Sequence, residues 1–258
     1  MANLVTFSDH YLINGDDLLA QTATLLARDG LATLDGVHTR DAIAELANRM
    51  MTIYPHRDSG SDGVTVIDQR AHLAGQLGFA GFGNSAMPPH TDLSAAPLPP
   101  RLQILVCSLS GSAGGETVLV DGAGVCADLA QFRPDLLRRL EQPGTVRFAD
   151  RWAAVFERIG NGRMRIRYRQ DGLEHFSSAV RDLVPSLRAV IARRTRLLPL
   201  RPGQGYLIDN WRVLHGREAF TGHRRLYRVL GDPTPDLHLP SGIVIAPQPA
   251  SAASSWES

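Results

Sequence analysis

Imidazoles and carboxylates at short spacing are the first groups in this chain that could do chemistry. His90-Thr91-Asp92 places a ring nitrogen and a carboxylate two residues apart, on one face of an extended segment, where both can grip one ion. The triplet alone is unselective. With nine histidines and 26 acidic residues in 258, about one His-x-Asp/Glu arises by chance, and His56-Arg57-Asp58 is a second. Context separates them: His56 sits in a loop, whereas His90 follows a Gly/Pro-rich stretch and precedes a β-rich run, with another candidate ligand, His215, far downstream. Two histidines and a carboxylate take one face of an octahedral ion and leave three positions free. That suits non-haem Fe(II) holding a cosubstrate and O2.

His215 belongs to a stretch, residues 205–228, that reads as strand, turn, strand. Residues two apart share a strand face, so Val213 and His215 point one way after the Asp209-Asn210 turn. Arg224, Leu226, Arg228 and Leu230 then share a face, and Arg225, Tyr227 and Val229 take the other. Arginines beside a histidine on strands of Leu, Val, Tyr and Trp are costly to bury without an anionic partner. The alternative is a core histidine flanked by arginines on a solvated edge.

Several elements must position these groups. LVTF (4–7) and LATL (31–34) read as strands. A helix from Asp16 to Arg28 carries Leu19, Ala23 and Leu26 on one stripe and stops at Gly30; another, capped by Thr39, carries Ile43, Leu46, Ala47 and Met50. Residues 55–63 and 78–100 are loops by composition, and a loop as long as the second is expected to be functional. RLQILVC (101–107) and GGETVLVDG (114–122) follow as strands; Pro134 opens a short helix, and Leu187, Val190 and Ile191 mark one after Pro185. In 163–170 the alternation predicts Arg163, Arg165, Arg167 and Arg169 on a solvated face, with Met164, Ile166 and Tyr168 inside. Many short strands with few helices predict a mainly β protein with flanking helices, an antiparallel core of jelly-roll type. Residues 1–240 read as one domain and 241–258, rich in Ala, Ser and Pro, as a flexible tail.

Composition bounds the rest. Hydrophobic content of 43% and charged content of 21% are ordinary for a globular chain, and a net charge of +1 gives no field for nucleic acid or an anionic membrane. All 27 basic residues are arginine. Cys107 and Cys126 form no metal or disulfide pattern, there is no signal-like N-terminus, and no long apolar run appears, so a cytoplasmic location and a small-molecule partner are expected. Oligomeric state is not legible.

The chain resembles the Fe(II)/2-oxoglutarate-dependent dioxygenases of the taurine dioxygenase, clavaminate synthase and γ-butyrobetaine hydroxylase branch. The resemblance runs from about Pro88 to Asp232 through HTD, PPRLQIL, GGETVLVDG, DNWRVLHGREAFTG and RRLYRVLGD. It implies a double-stranded β-helix and Fe(II), 2-oxoglutarate and O2 as cofactors. His90, Asp92 and His215 become the iron ligands, Thr117 touches 2-oxoglutarate, and Arg224 pairs with its distal carboxylate. Arg228 and Asn84 are candidates for substrate contact, and Arg217 for a structural ion pair. The implied activity is hydroxylation of an unactivated C–H of a small, amino-acid-like metabolite, releasing succinate and CO2; desaturation or ring closure would use the same oxidant. Halogenases of the family replace the carboxylate ligand, whereas Asp92 is present. Aromatic content of 6% argues against a trimethylammonium cage, to which Tyr54, Tyr168 and Trp211 are the available contributors. Rival readings are a non-catalytic barrel that binds a small acid and a zinc hydrolase on the same three ligands.

Overall fold

Alternation along the strands decides what each face meets. In the strand Leu102–Leu109, Leu102, Ile104 and Val106 join an outer cluster with Ile43, Leu46, Ala47 and Met50 of one helix and Leu18 and Leu26 of another. The intervening Leu105 and Cys107 join an inner cluster, and Gln103, fully buried, lies on the same face. The computed structural model describes residues 4–13, 15–73, 75–240 and 242–244.

Leu102–Leu109 is central to a six-stranded antiparallel sheet. Its order is Leu31–Leu34, Gly205–Asp209, Leu102–Leu109, Arg225–Pro233 and Met51–Ile53, with Thr65–Asp68 also paired to Arg225–Pro233. A second antiparallel sheet runs Arg196–Leu198, Thr117–Asp121, Val213–Arg217 and Met87–His90. Leu119, Leu198 and Val213 of this sheet share the inner cluster with Leu105, Tyr206, Ile208 and Leu226 of the first, so the two sheets pack through these faces. On its other side the smaller sheet gives Val120 and Leu214 to a third cluster. That cluster includes Val125 and Leu129 of the helix Gly122–Phe132, Leu187 and Val190 of Val184–Arg193, and Phe148, Phe156 and Ile166 of the short strands between them.

Helix ends follow their caps. Thr39 accepts the Ala42 N–H at the start of Arg40–Met50. Leu18–Asp29 begins two residues later than expected and ends where Gly30 turns left-handed at φ 70°. A Cβ on Gly30 would lie 2.8 Å from Val213 Cγ2, so both backbone and packing require glycine there.

Four expectations change. Residues 4–7 do not form a strand: Leu4 makes one bridge to Leu197, and Phe7–His10 is a 3-10 turn. Within 78–100, Met87–His90 is a strand despite Pro88 and Pro89, because it pairs only with Val213–Arg217 and its other edge demands no N–H donors. The arginine face of 163–170 is not solvated. Arg167 is 1% exposed and pairs with Glu157, Arg165 pairs with the same carboxylate, and Arg169 pairs with Asp171. Much of the expected tail lies outside the described residues, but Ile243–Val244 pairs with Arg163–Ile166 and Ile243 is buried. Among the described residues no helix is long and apolar enough to cross a membrane.

Candidate active site

The register of the smaller sheet brings the two histidines together. His215 is opposite His90 across the Val213–Arg217/Met87–His90 pair, and their ring centroids are 4.5 Å apart. His90 Nδ1 lies 3.0 Å from the Pro88 carbonyl. A carbonyl can only accept, so Nδ1 carries the hydrogen and Nε2 presents a lone pair.

Asp92 lies not on the strand but in the turn just beyond it, and the turn is fastened on two sides. Asn210 accepts the Asp92 N–H at 2.9 Å and donates to the Asp92 and Pro100 carbonyls. On the other side Thr91 N–H donates to the Tyr168 carbonyl, and the Tyr168 N–H donates to the Thr91 hydroxyl. The chain turns at Leu93 with φ 50°, a strained angle for leucine. Arg167 then donates to the carbonyls of Ser94 and Ala96, each at 2.7 Å.

These constraints leave ligand atoms of His90, Asp92 and His215 all within 4.8 Å of one another. His90 Nε2 is 3.8 Å from Asp92 Oδ1, and His215 Nε2 is 3.7 Å from Asp92 Oδ2. Gln103 reaches the same point: its amide NH2 lies 2.5 Å from Asp92 Oδ2 and 3.0 Å from His215 Nε2. No sequence motif marked Gln103; the available signal was one polar residue inside an apolar strand.

The electrostatics match the donor set. Burial, reinforced by His90, pushes His215 down to about 3, so it is a neutral imidazole at ordinary pH. Burial would raise the Asp92 carboxyl, but Arg228, the His90 hydrogen bond and His215 outweigh it and hold the group well below the usual carboxylate range. Two imidazole nitrogens and one ionised oxygen on one face, beside an open cavity, fit a non-haem iron of the two-histidine, one-carboxylate kind.

A cavity of about 850 Å3 opens from this triad. It is lined by Thr117, Arg217, Arg224 and Arg228, among others, so both inward arginines of the 224–230 face reach it. Arg228 Nη1 lies 3.2 and 3.1 Å from the two Asp92 oxygens and therefore buttresses the carboxylate. Asn84 does not line the cavity; its side chain is exposed and its carbonyl accepts the Phe220 N–H. His56 lines the wall without joining the triad, its Nδ1 accepting the Asp58 N–H.

Arg217 forms no ion pair among the described residues, contrary to expectation; it donates to the Ser85 carbonyl. Of the aromatic contributors, only Tyr54 lines the cavity. Tyr168 is buried against Phe176 with its hydroxyl on Gln170, and the Trp211 indole N–H donates to the Pro99 carbonyl.

The chain is similar to known proteins in both sequence and fold. The chain is 28% identical over 173 residues to the mitochondrial trimethyllysine dioxygenase of Gallus gallus, covering 58% of this chain and 41% of that protein. It is 31% identical over 232 residues to the γ-butyrobetaine dioxygenase of Pseudomonas sp. (strain AK-1), covering 82% of this chain and 58% of the relative. The chain thus spans well under two thirds of the length of both. In fold it is similar to the non-heme iron oxygenase OrfP in complex with Fe and alpha-ketoglutaric acid, with a TM-score of 0.64 at 17% identity over 84% of this chain and 79% of the other. The family model described as taurine catabolism dioxygenase TauD, TfdA family matches residues 5–230, and the chain belongs to that family.

Proposed function

We propose that the protein is an Fe(II)- and 2-oxoglutarate-dependent dioxygenase that hydroxylates an unactivated C–H of a small polar, amino-acid-like molecule and releases succinate and CO2. The observation that carries this reading is the convergence of His90, Asp92 and His215 on a cavity whose wall also holds the buried cation Arg224. The two-sheet core is read as a double-stranded β-helix, with the triad between its sheets.

Iron bound by the three side chains would supply the activation of O2, coupled to oxidative decarboxylation of the 2-oxo acid. The chain's own residues do the positioning. Pro88 fixes the His90 tautomer, Asn210 and the Thr91–Tyr168 pair fix the Asp92 turn, and Arg228 keeps the carboxylate ionised. Thr117, 2% exposed, and Arg224, 6% exposed, are the residues assigned to 2-oxoglutarate. A forked guanidinium in a dry wall suits a carboxylate far better than an ammonium point charge would.

A zinc hydrolase on the same ligands has no use for a second buried cation remote from the metal. Substrate contact is assigned to the remaining wall, which Arg228 shares with Arg147, Arg169 and Asp171. A trimethylammonium substrate is disfavoured, because Arg57 lies 4.9 Å from the Phe79 ring centroid and Arg70 4.1 Å from that of Phe82, so these faces already carry cations. The test is an anaerobic titration with Fe(II) and 2-oxoglutarate, read by the weak visible charge-transfer band, followed by succinate release against a panel of amino acids and amines. A band that survives in Asp92→Ala and His215→Ala would sink the assignment.

A further inference from the structure

This chain buries arginines with carboxylates. Arg101 faces Asp209, Arg167 faces Glu157 and Arg228 faces Asp92. Two cavity arginines break the rule: among the described residues neither Arg217 nor Arg224 forms an ion pair, although they are only 5% and 6% exposed. Each spends one donor on a carbonyl, Arg217 on Ser85 and Arg224 on Gly115, and Arg217 Nε is buried with no partner. Both stand by the same ring, with their guanidinium carbons 4.7 and 5.6 Å from the Phe220 centroid.

Arg217 ends the strand that carries His215, two residues on, and is the register partner of Thr117. Two like charges beside one ring in a dry wall repel, and a carbonyl apiece does not compensate them. An anion between them would.

Resting on the reading above, we infer that Arg217 and Arg224 jointly hold the distal carboxylate of 2-oxoglutarate. Arg217 is then a second cosubstrate-binding residue and makes that end of the cavity dicationic. One guanidinium fork can engage both carboxylate oxygens; a second, brought in at the end of Val213–Arg217, adds donors to their remaining lone pairs and a second positive charge. The consequence is strict selectivity for a dicarboxylic 2-oxo acid.

The experiment uses calorimetry on the Mn(II)-loaded full chain without O2. It compares 2-oxoglutarate with 2-oxovalerate, which carries a methyl where 2-oxoglutarate has its distal carboxylate. Wild type is expected to prefer 2-oxoglutarate by a hundredfold or more. Arg217→Met and Arg224→Met should each cut that preference tenfold or more while leaving 2-oxovalerate affinity near wild type. Arg217→Lys should recover part of it, and it carries the test if the methionine variant does not fold. A purely structural Arg217 would weaken both acids by one factor. Equal weakening, or an unchanged ratio in Arg217→Met or Arg217→Lys, overturns the shared anchor alone. Wild type that binds neither acid overturns the functional reading and this inference with it.

Discussion

At the residue scale the site depends on three ligand atoms whose protonation is set by neighbours and not by the ligands' own positions in sequence. His90→Ala, Asp92→Ala and His215→Ala should each reduce turnover to background and weaken Fe(II) binding by orders of magnitude. His56→Ala should leave Fe(II) affinity within a few-fold of wild type and shift only substrate saturation, because His56 is on the wall and outside the triad. An Fe(II) titration of the four variants separates these outcomes. His-x-Asp was legible in sequence because both chemical types are explicit in the letters. Gln103 was not, since a single buried amide has no spacing pattern and becomes meaningful only when Leu102–Leu109 is laid against the triad. Asn84, a candidate for substrate contact, has an exposed side chain and is not part of the cavity wall.

At the element scale, two arginines hold segments that no secondary structure would hold. Arg167 ties the Ser94–Ala96 turn to the short strands outside the smaller sheet. Arg167→Met removes two charge-assisted hydrogen bonds and should destabilise the fold by about 3–6 kcal/mol, since hydrogen bonds to a charged group are worth about 1.5–3 kcal/mol each. It should also loosen Fe(II) binding, because Asp92 sits at the head of that turn; a urea melt and a metal titration read the two effects. The arginine alternation in 163–170 was legible, but not its direction, because a period of two does not say which face meets solvent. Arg40, at the start of its helix, pairs with Asp62 in the loop before Thr65–Asp68. That hydrogen bond holds the Asp62 carboxyl down to about 2 from an ordinary 3.8. A depressed carboxyl stabilises above its unfolded value and loses that contribution as pH falls through its folded value. Both partners are about a third exposed, so solvent screening limits the gain to about 0.5–1 kcal/mol. Asp62→Asn should therefore be less stable than wild type at pH 7, and the gap should close between about pH 4 and pH 2 in paired denaturant melts.

At the scale of the whole molecule, four helices and the central strands are readable because periodicity and glycine, threonine or proline signals are local, whereas the helix Gly122–Phe132 follows its strand with no stop between them and is not read. The strand Met87–His90 is not read either. Two prolines mask it, and only its pairing with Val213–Arg217 licenses extended structure there. That same pairing has a consequence for the holoprotein. His90 sits on a strand held from one side only, and His215 sits on its neighbour, so an ion between them acts as a clasp on the free margin of the sheet. The clasp joins points separated by 125 positions (215 minus 90), and therefore ties two distant stretches of the unfolded chain into one cooperative event. Iron supplied at a hundred times its dissociation constant would stabilise the folded state by about 2.7 kcal/mol through mass action. For a chain of this size that is a rise in melting temperature of about 5–10 °C. The rise should vanish in His90→Ala, and proteolytic nicking between residues 78 and 100 should slow as metal is added, so that loading with iron becomes a form of protection against turnover of the protein itself.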